Sequence, residues 1–188
     1  MLDLHFVAPG LAVGARFPME AAARLAREHG IGHVVDLRGE HRDDEELLRV
    51  HGIRLLHLPT EDTRAISQQM LRHGVAFVNG ALDGGGAALI HCQYGIGRSA
   101  LLALCVLVSR GAPPLEAMAR LKDARPVVSP SPEQLGALVT FSRVLAEERR
   151  LRLPIPTVEE LGAIAWRHLG MLAPPSAERA RSASTQAE

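Results

Sequence analysis

Apolar residues occur along this chain in two patterns: short continuous runs, and longer stretches where they recur every three or four positions. Short runs bounded by glycine or proline are typical of buried strands, and the longer periodic stretches are typical of helices. We predict four strands, at residues 11–14, 32–37, 53–58 and 87–90. The third is expected to stop at Pro59, because proline cannot donate to a strand ladder.

Segments between and after these strands have the periodicity and the boundary residues of helices. Gly30 is placed to close the first helix, and Ser131 followed by Pro132 to begin the sixth. The predicted helices cover about residues 18–29, 40–50, 67–82, 100–108, 115–124, 132–151 and 157–169. Strands alternating with helices indicate an α/β fold. We therefore predict a single domain with a central, mostly parallel, twisted sheet of four to five strands flanked by helices.

The C-terminal part of the chain differs in composition from the rest. From Ala173 onward it consists mostly of proline, serine, alanine and charged residues, which is typical of disorder. We predict a main domain at 1–151, a helical extension at 152–172 and a disordered tail at 173–188. The helix around Trp166 could pack on the domain or bind a partner, and the sequence leaves both open.

Composition excludes several classes of protein. Of 188 residues, 47% are hydrophobic and the formal net charge is zero, so a full core is expected and a nucleic-acid partner is not. No apolar run reaches the roughly 18 residues of a membrane span, and the first residues do not resemble a secretion signal. With only two cysteines, Cys92 and Cys105, a disulfide framework is not expected. We expect a cytoplasmic protein whose oligomeric state the sequence leaves open.

The segment His91-Cys92-Gln93-Tyr94-Gly95-Ile96-Gly97-Arg98-Ser99 carries the strongest chemical signal. It lies between the apolar run 87–90 and the apolar run 100–108, so we predict a strand, a tight loop and a helix. Backbone N–H groups at a helix N-terminus favour an anion. A phosphate could therefore bind to the loop backbone from Gln93 to Gly97, with the Arg98 guanidinium bonded to two of its oxygens.

The same loop supplies a nucleophile. A thiolate at Cys92 would be stabilised by the loop N–H groups and by Arg98, which favours nucleophilic attack near neutral pH. Gly95 and Gly97 allow the backbone to approach a phosphate without an obstructing Cβ. Ser99 can donate a hydrogen bond to the cysteine sulfur and ease its departure from an intermediate. A buried cysteine beside an unrelated surface arginine is the alternative.

Residues outside the loop could complete this chemistry. His91 either bonds to the loop backbone or is an ordinary residue at a strand end. Glu61 and Asp62 follow the predicted strand 53–58, and parallel strands would bring them to the same sheet edge as Cys92. One of them could be the proton donor and base that phosphate ester hydrolysis needs; the alternative is a solvated turn.

The motif His91-Cys92-x5-Arg98-Ser99 resembles the signature of the cysteine-dependent protein tyrosine phosphatases. It is most similar to their small dual-specificity branch and to the related cyclin-dependent-kinase-inhibitor-associated phosphatases, over residues 5–148. The resemblance implies a phosphate loop between the central strand and a helix. It also implies a two-step reaction through a phosphocysteine on Cys92, with no metal or other cofactor and a phosphoprotein as substrate. The segment 57–62 resembles the family's general-acid loop, which places the acid at Asp62.

Departures from the family pattern concern the substrate. The chain has no counterpart to the tyrosine-bearing loop of strictly tyrosine-specific relatives, so we expect a shallower pocket that also admits phosphoserine and phosphothreonine. Tyr94 could line the pocket rim or be a packing residue. Residues 36–40 resemble a segment of relatives that act on phosphoinositides or inositol phosphates, although the loop lacks their extra lysines. A phosphatase of a phosphoinositide or another small phosphomonoester is the alternative activity.

Neither Arg38 nor Arg125 is expected to take part in the chemistry. For Arg38 we expect a structural role, either orienting the acid loop or pairing with Glu40 at the surface. Arg125 could hold the loop or the substrate, but we expect a solvated side chain. An inactive phosphate-binding module is the alternative of another class, and the spacing between Cys92 and Arg98 disfavours a sulfurtransferase.

Overall fold

The computed structural model describes residues 2–167 and contains one five-stranded sheet. The strands are Leu4–Ala8 (β1), Leu11–Gly14 (β2), Ile31–Arg38 (β3), Arg54–Thr60 (β4) and Ala87–His91 (β5). Their order in the sheet is β1-β2-β5-β3-β4. Only β1 is antiparallel to its neighbour, and the other three pairings are parallel. The predicted α/β class with a mostly parallel sheet is confirmed.

Seven α-helices surround the sheet in the described part of the chain. They are Ala22–His29 (α1), Glu45–Val50 (α2), Gln68–Asp83 (α3), Arg98–Ser109 (α4), Pro114–Ala124 (α5), Pro132–Arg149 (α6) and Val158–Ala165 (α7). The side chains of Ser67, Ser131 and Thr157 accept backbone N–H bonds at the starts of α3, α6 and α7. Among these described helices, none has the length and apolar character needed to span a bilayer.

The core lies on both faces of the sheet because alternate strand residues point to opposite sides. On one face, Val13, Val35 and Ile90 belong to the cluster that includes α3, α4 and α6. On the other face, the residues one position earlier, Ala12, Val34 and Leu89, pack with α1 and α2. All twelve residues of α4 are buried. The helix that follows the Cys92 loop is therefore fixed along its whole length.

Two strand predictions need correction. Strand β4 does not stop at Pro59 but continues to Thr60. It lies at the sheet edge, where a residue without an N–H can face away from the ladder and no bond is lost. Strand β1 was not predicted, because its partly exposed residues lack the continuous apolar run of a buried strand. It pairs only with β2, as the other edge of the sheet.

The C-terminal helix α7 packs against α5 and α6. Leu161 and Ala165 are buried in the main core cluster, and the indole Nε1 of Trp166 donates to the carbonyl oxygen of Pro130 at 3.0 Å. Of the two open interpretations of this helix, packing on the domain is therefore the observed one. The predicted helix end at Leu169 and the predicted tail at 173–188 lie outside the described residues.

Candidate active site

The loops that follow the four parallel strands meet at one edge of the sheet. They contribute Arg16 after β2, Glu40 after β3, Asp62 after β4 and Cys92 after β5. Ligands of open α/β sheets bind at this carboxyl edge. The loops that carry Asp62 and Cys92 therefore lie at the same edge, as expected. However, β3 lies between β5 and β4, so the loop that carries Glu40 lies between the loops that carry Cys92 and Asp62.

The backbone of the Cys92 loop is held from outside by its carbonyl groups. Four successive carbonyl oxygens each accept a hydrogen bond from a residue outside the loop. The bonds are Arg16 N to Gln93 O at 3.3 Å, Arg125 Nη2 to Tyr94 O at 3.1 Å, Arg125 Nε to Gly95 O at 2.8 Å and Ser129 N to Ile96 O at 3.0 Å. In a trans peptide the N–H points opposite to the C=O. The N–H groups of residues 94–97 therefore point away from these four donors, as an anion-binding loop requires.

Glycine is required at two positions of this loop. Gly95 has φ +68°, and a Cβ there would lie 2.5 Å from the carbonyl carbon of Gly14 and 2.6 Å from Nη2 of Arg125. At Gly97 a Cβ would lie 2.6 Å from Oε1 of Gln134. The two glycines that the sequence motif marked are thus needed for the close packing of the loop against its surroundings.

Cys92 lies at the base of this loop and is 2% exposed. Its Sγ is 3.3 Å from the Oγ of Ser99 in the first turn of α4. The structure therefore brings together the cysteine and the hydroxyl that the sequence analysis paired. The second cysteine, Cys105, is buried in the core, and burial raises the pKa of its thiol well above the ordinary value. Its environment is that of an unreactive core residue.

Arg98 is fully buried, and its guanidinium is oriented by carboxylate and carbonyl partners. Nη1 and Nη2 bond to the two oxygens of Glu40 at 2.7 and 2.9 Å, and Nη1 also donates to Thr60 O at 2.8 Å. Asp62 Oδ1 lies 3.1 Å from Nη2. Burial opposes the charge, but the Glu40 bonds and the Cys92 and Asp62 charges outweigh it and raise the pKa of Arg98. Among the described residues, the buried Nε has no hydrogen-bond partner, so one edge of the guanidinium is left to bind an oxyanion.

Glu40 is the site residue that the sequence analysis missed. A surface pair with Arg38 was one of the two interpretations offered, but the Glu40 carboxylate binds Arg98. The Arg98 hydrogen bonds hold the pKa of Glu40 below its ordinary value, so the carboxylate is charged at neutral pH. A usable signal was present, since Glu40 follows a parallel strand just as Asp62 does.

Two pockets open beside the loop. One of about 200 Å³ is lined by Cys92, Gly97 and Gln134, among others. A cleft of about 790 Å³ is lined by Arg16, Glu40 and Glu61, among others. Asp62 and Tyr94 line both. Tyr94 is 60% exposed, so of the two interpretations offered for it the structure favours the rim position.

Behind the loop, His91 belongs to a buried polar network. Its Nε2 donates to Asp43 Oδ2 at 2.8 Å, and its Nδ1 has no partner among the described residues. Arg38 bonds to both oxygens of Asp36, at 2.9 and 3.0 Å, and to Asp43 Oδ1 at 2.5 Å. Of the two interpretations of His91, a bond to the loop backbone is not observed, because the ring bonds to a carboxylate. Arg38 has a structural role, as expected, but it pairs with buried aspartates and not with Glu40.

Charge balance explains why this network is stable in the core. Burial opposes ionisation of Asp36, but the hydrogen bonds from Arg38 and the nearby His91 outweigh it, so the pKa of Asp36 lies below its ordinary value. Asp36, Asp43 and His91 also lie close enough together to ligate a metal. However, the Arg38 guanidinium already binds both carboxylates, so a cation would have to displace another cation.

We expect Asp43→Asn to destabilise the fold by about 3 kcal/mol, which is the scale for breaking a buried ion pair. Asp43 accepts from both Arg38 and His91, whereas an asparagine has only one acceptor oxygen. Its NH2 group would therefore face an N–H group of Arg38 or His91. The unfolding midpoint should fall by roughly 10 °C, measured by calorimetry. The neighbouring Asp44→Asn is the matched control, because Asp44 is exposed and asparagine caps a helix as well as aspartate does. Equal midpoints for both variants would show that the network contributes nothing.

The position of Arg125 differs from the expectation of a solvated side chain. Arg125 is 1% exposed and bonds to the loop carbonyls of Tyr94 and Gly95. It could not be identified from the sequence because it lies 33 positions after Cys92, in a segment with no apolar pattern of its own. The arginine thus holds the loop, which was the less favoured of the two interpretations.

Comparisons with known proteins agree with this geometry. Residues 18–144 match the sequence model of the family described as dual specificity phosphatase, catalytic domain. Dual specificity protein phosphatase 1-A of Xenopus laevis is 32% identical over 107 residues, which are 55% of this chain and 29% of that protein. Human dual specificity protein phosphatase 16 is 27% identical over 175 residues, which are 84% of this chain and 25% of that protein. The chain thus spans under a third of the length of these curated relatives.

Solved structures superpose on most of this chain. Human DUSP28 superposes with a TM-score of 0.68 at 28% identity, over 76% of this chain and 95% of that one. The structure of PTPMT1 in complex with PI(5)P superposes with a TM-score of 0.74 at 22% identity, over 78% and 98%, which establishes a shared fold. The family match covers more than half of the sequence, including the loop from Cys92 to Arg98. This chain therefore belongs to the dual-specificity phosphatase catalytic-domain family.

Proposed function

We propose that this chain is a protein phosphatase that hydrolyses phosphotyrosine, and also phosphoserine and phosphothreonine, through a phosphocysteine intermediate. The observation that carries the proposal is the buried Arg98, which is oriented by Glu40 and presents an unpartnered Nε above a loop of inward-pointing N–H groups. Such an arrangement binds a tetrahedral oxyanion next to the sulfur of Cys92. Preorganised donors of this kind stabilise the charge that develops on a transferring phosphoryl group.

In the first step, the Cys92 thiolate attacks phosphorus, the S–P bond forms and the P–O bond of the ester breaks. Asp62 gives its proton to the departing ester oxygen. In the second step, water attacks the phosphocysteine, Asp62 accepts the water proton, and the S–P bond breaks to release inorganic phosphate. The Ser99 hydroxyl, 3.3 Å from Sγ, donates to the sulfur as it departs. Asp62 lies beside Arg98 and is 58% exposed, so its carboxyl can reach a bound ester from solvent.

The pocket walls support a broad choice of phosphorylated side chains. Tyr94 is the only phenylalanine, tyrosine or tryptophan among the described residues lining the two pockets, and it is mostly exposed. No buried phenylalanine, tyrosine or tryptophan of the described walls thus encloses a substrate phenyl group, as selection for phosphotyrosine alone would require. A short phosphoserine side chain can then bring its phosphate to the loop.

The C-terminal helix and the two cysteines support proposals on the extent of the domain and on its location. We propose residues 1–151 as the phosphatase domain and 152–172 as a helical extension; the burial of Leu161 against the core supports its close association with the domain. Both cysteines are free, and the reaction needs Cys92 reduced. A reducing compartment, the cytoplasm, fits this requirement.

The test is phosphate release from p-nitrophenyl phosphate with EDTA present, followed by peptides carrying phosphotyrosine, phosphoserine or phosphothreonine. We expect turnover of the aryl ester and of all three peptides. Turnover of phosphoinositides in preference to every peptide would show that the substrate is a lipid or another small phosphomonoester and not a protein. Binding of tungstate without turnover of any ester would identify an inactive phosphate-binding module.

We expect Asp62→Asn to lower kcat for p-nitrophenyl phosphate by about 10²-fold, the lower part of the range for loss of a general acid. The loss should grow with alkyl esters such as phosphoserine, because a poorer leaving group depends more on the donated proton. Glu61→Gln is the matched control, since Glu61 lines the same cleft but does not contact Arg98. Wild-type kcat in Asp62→Asn together with a reduced kcat in Glu61→Gln would identify Glu61 as the general acid instead.

A further inference from the structure

The Arg125 side chain uses every N–H group of its guanidinium, which has five. Nε and one hydrogen of Nη2 bond to the carbonyls of Gly95 and Tyr94 at 2.8 and 3.1 Å. Nη1 and Nη2 bond to the two carboxylate oxygens of Asp3 at 2.6 and 2.8 Å. The fifth bond runs from Nη1 to Nδ1 of His5 at 2.8 Å. Only a planar guanidinium can satisfy this set at once.

The partners of Arg125 connect two distant parts of the chain. Asp3 and His5 lie at the start of the chain, His5 within β1, whereas Tyr94 and Gly95 lie in the phosphate loop. The Asp3 backbone carbonyl also accepts a bond from Ala15 N at 3.0 Å, so Asp3 itself is held against the end of β2. Its hydrogen bond with Arg125 lowers the pKa of Asp3, so the Asp3 carboxylate is ionised at neutral pH.

The bonds from Arg125 act on two N–H groups of the phosphate loop. The carbonyls of Tyr94 and Gly95 share peptide units with the N–H groups of Gly95 and Ile96, which point the opposite way. A cation bonded to these carbonyls fixes the direction of both N–H groups. It also polarises the two peptide units, which strengthens the N–H groups as donors to an anion.

We infer that Asp3 is a positioning residue for the phosphate loop and acts through Arg125. The family match begins at residue 18, so Asp3 and the strand beside it lie outside the matched region. The inference rests on the proposed function only in taking the loop as the phosphate site. In this role, Asp3 aligns the guanidinium so that Arg125 can bond to the loop carbonyls of Tyr94 and Gly95.

The test compares Asp3→Asn with wild type in two measurements. Asparagine keeps the shape of the side chain but removes its charge and one acceptor. We expect tungstate, a tetrahedral oxyanion, to bind about tenfold more weakly by calorimetric titration, because a charged hydrogen bond is lost. Hydrogen exchange of the substrate-free protein should become several-fold faster in the peptide containing residues 93–97, with little change elsewhere. Asp3 is 55% exposed, so the variant is expected to fold.

The control is Asp83→Asn, which removes the carboxylate of another ion pair between chain segments, that of Asp83 with Arg110 at 2.8 Å. It should leave tungstate affinity and loop exchange at wild-type values. Arg125→Lys, which keeps the charge but not the fork, should reproduce the Asp3→Asn effects on the loop. Unchanged loop exchange in Asp3→Asn overturns the inference. A wild-type chain that hydrolyses no phosphomonoester overturns the proposed function instead, and the exchange comparison still decides the role of Asp3.

Discussion

Cys92→Ser is expected to lower turnover of p-nitrophenyl phosphate by at least about 10⁴-fold, in line with losses for removal of an enzyme nucleophile. A serine hydroxyl stays protonated at neutral pH and is a far weaker nucleophile than a thiolate. The anion site should persist, because the N–H groups and Arg98 are unchanged. Stopped assays for turnover and calorimetric titration with tungstate measure the two properties separately.

Cys105→Ser makes the same chemical change at a cysteine that is buried in α4, away from the loop. We expect kcat close to wild type, although a buried hydroxyl in the core lowers stability. Acid quenching of the wild-type reaction should trap phosphate on the peptide that contains Cys92, and not on the one that contains Cys105. Undiminished turnover by Cys92→Ser would rule out the phosphocysteine mechanism.

The parts of this fold that could be predicted are those in which local pattern and burial agree. The strand 11–14 was placed to the residue, Ser131 caps the helix expected after it, and the helix predicted from residue 157 begins with Thr157 as its cap. Strand β1 was missed because it lies at a sheet edge, where partly exposed residues blur the apolar pattern. Pro59 was misinterpreted for the same reason, since an edge strand tolerates a missing N–H.

The site shows the same division between local and non-local information. Cys92, Arg98 and Ser99 lie within eight consecutive residues, so their order along the chain already implied their meeting. By contrast, the Glu40–Arg98 pair spans 58 positions and the Asp3–Arg125 pair spans 122. A charged residue pairs with whichever partner the strand order brings near, and the sequence does not reveal that order. The insertion of β3 between β5 and β4 decides that Glu40 takes the position beside Arg98.

Arg98→Lys is expected to lower kcat/KM for p-nitrophenyl phosphate by about 10³-fold, the lower end of the contribution of an arginine to phosphoryl transfer. Lysine keeps the positive charge, but it cannot bond to Glu40 and to two phosphate oxygens in one plane, as a guanidinium does. The loss should appear mainly in kcat, because the equatorial oxygens become planar only in the transition state. Kinetics over a range of substrate concentrations would separate kcat from KM.

Arg110→Lys is the matched control for this substitution, at the C-terminal end of the helix that Arg98 begins. Arg110 pairs with Asp83 on the surface, and lysine can maintain such an exposed pair. Its kinetic constants should equal those of wild type. Glu40→Gln should reproduce part of the Arg98→Lys defect, because the Glu40 carboxylate orients the guanidinium through two bonds. If Arg98→Lys kept wild-type kcat, positive charge alone would suffice at this position, and the planar fork held by Glu40 would have no part in the reaction.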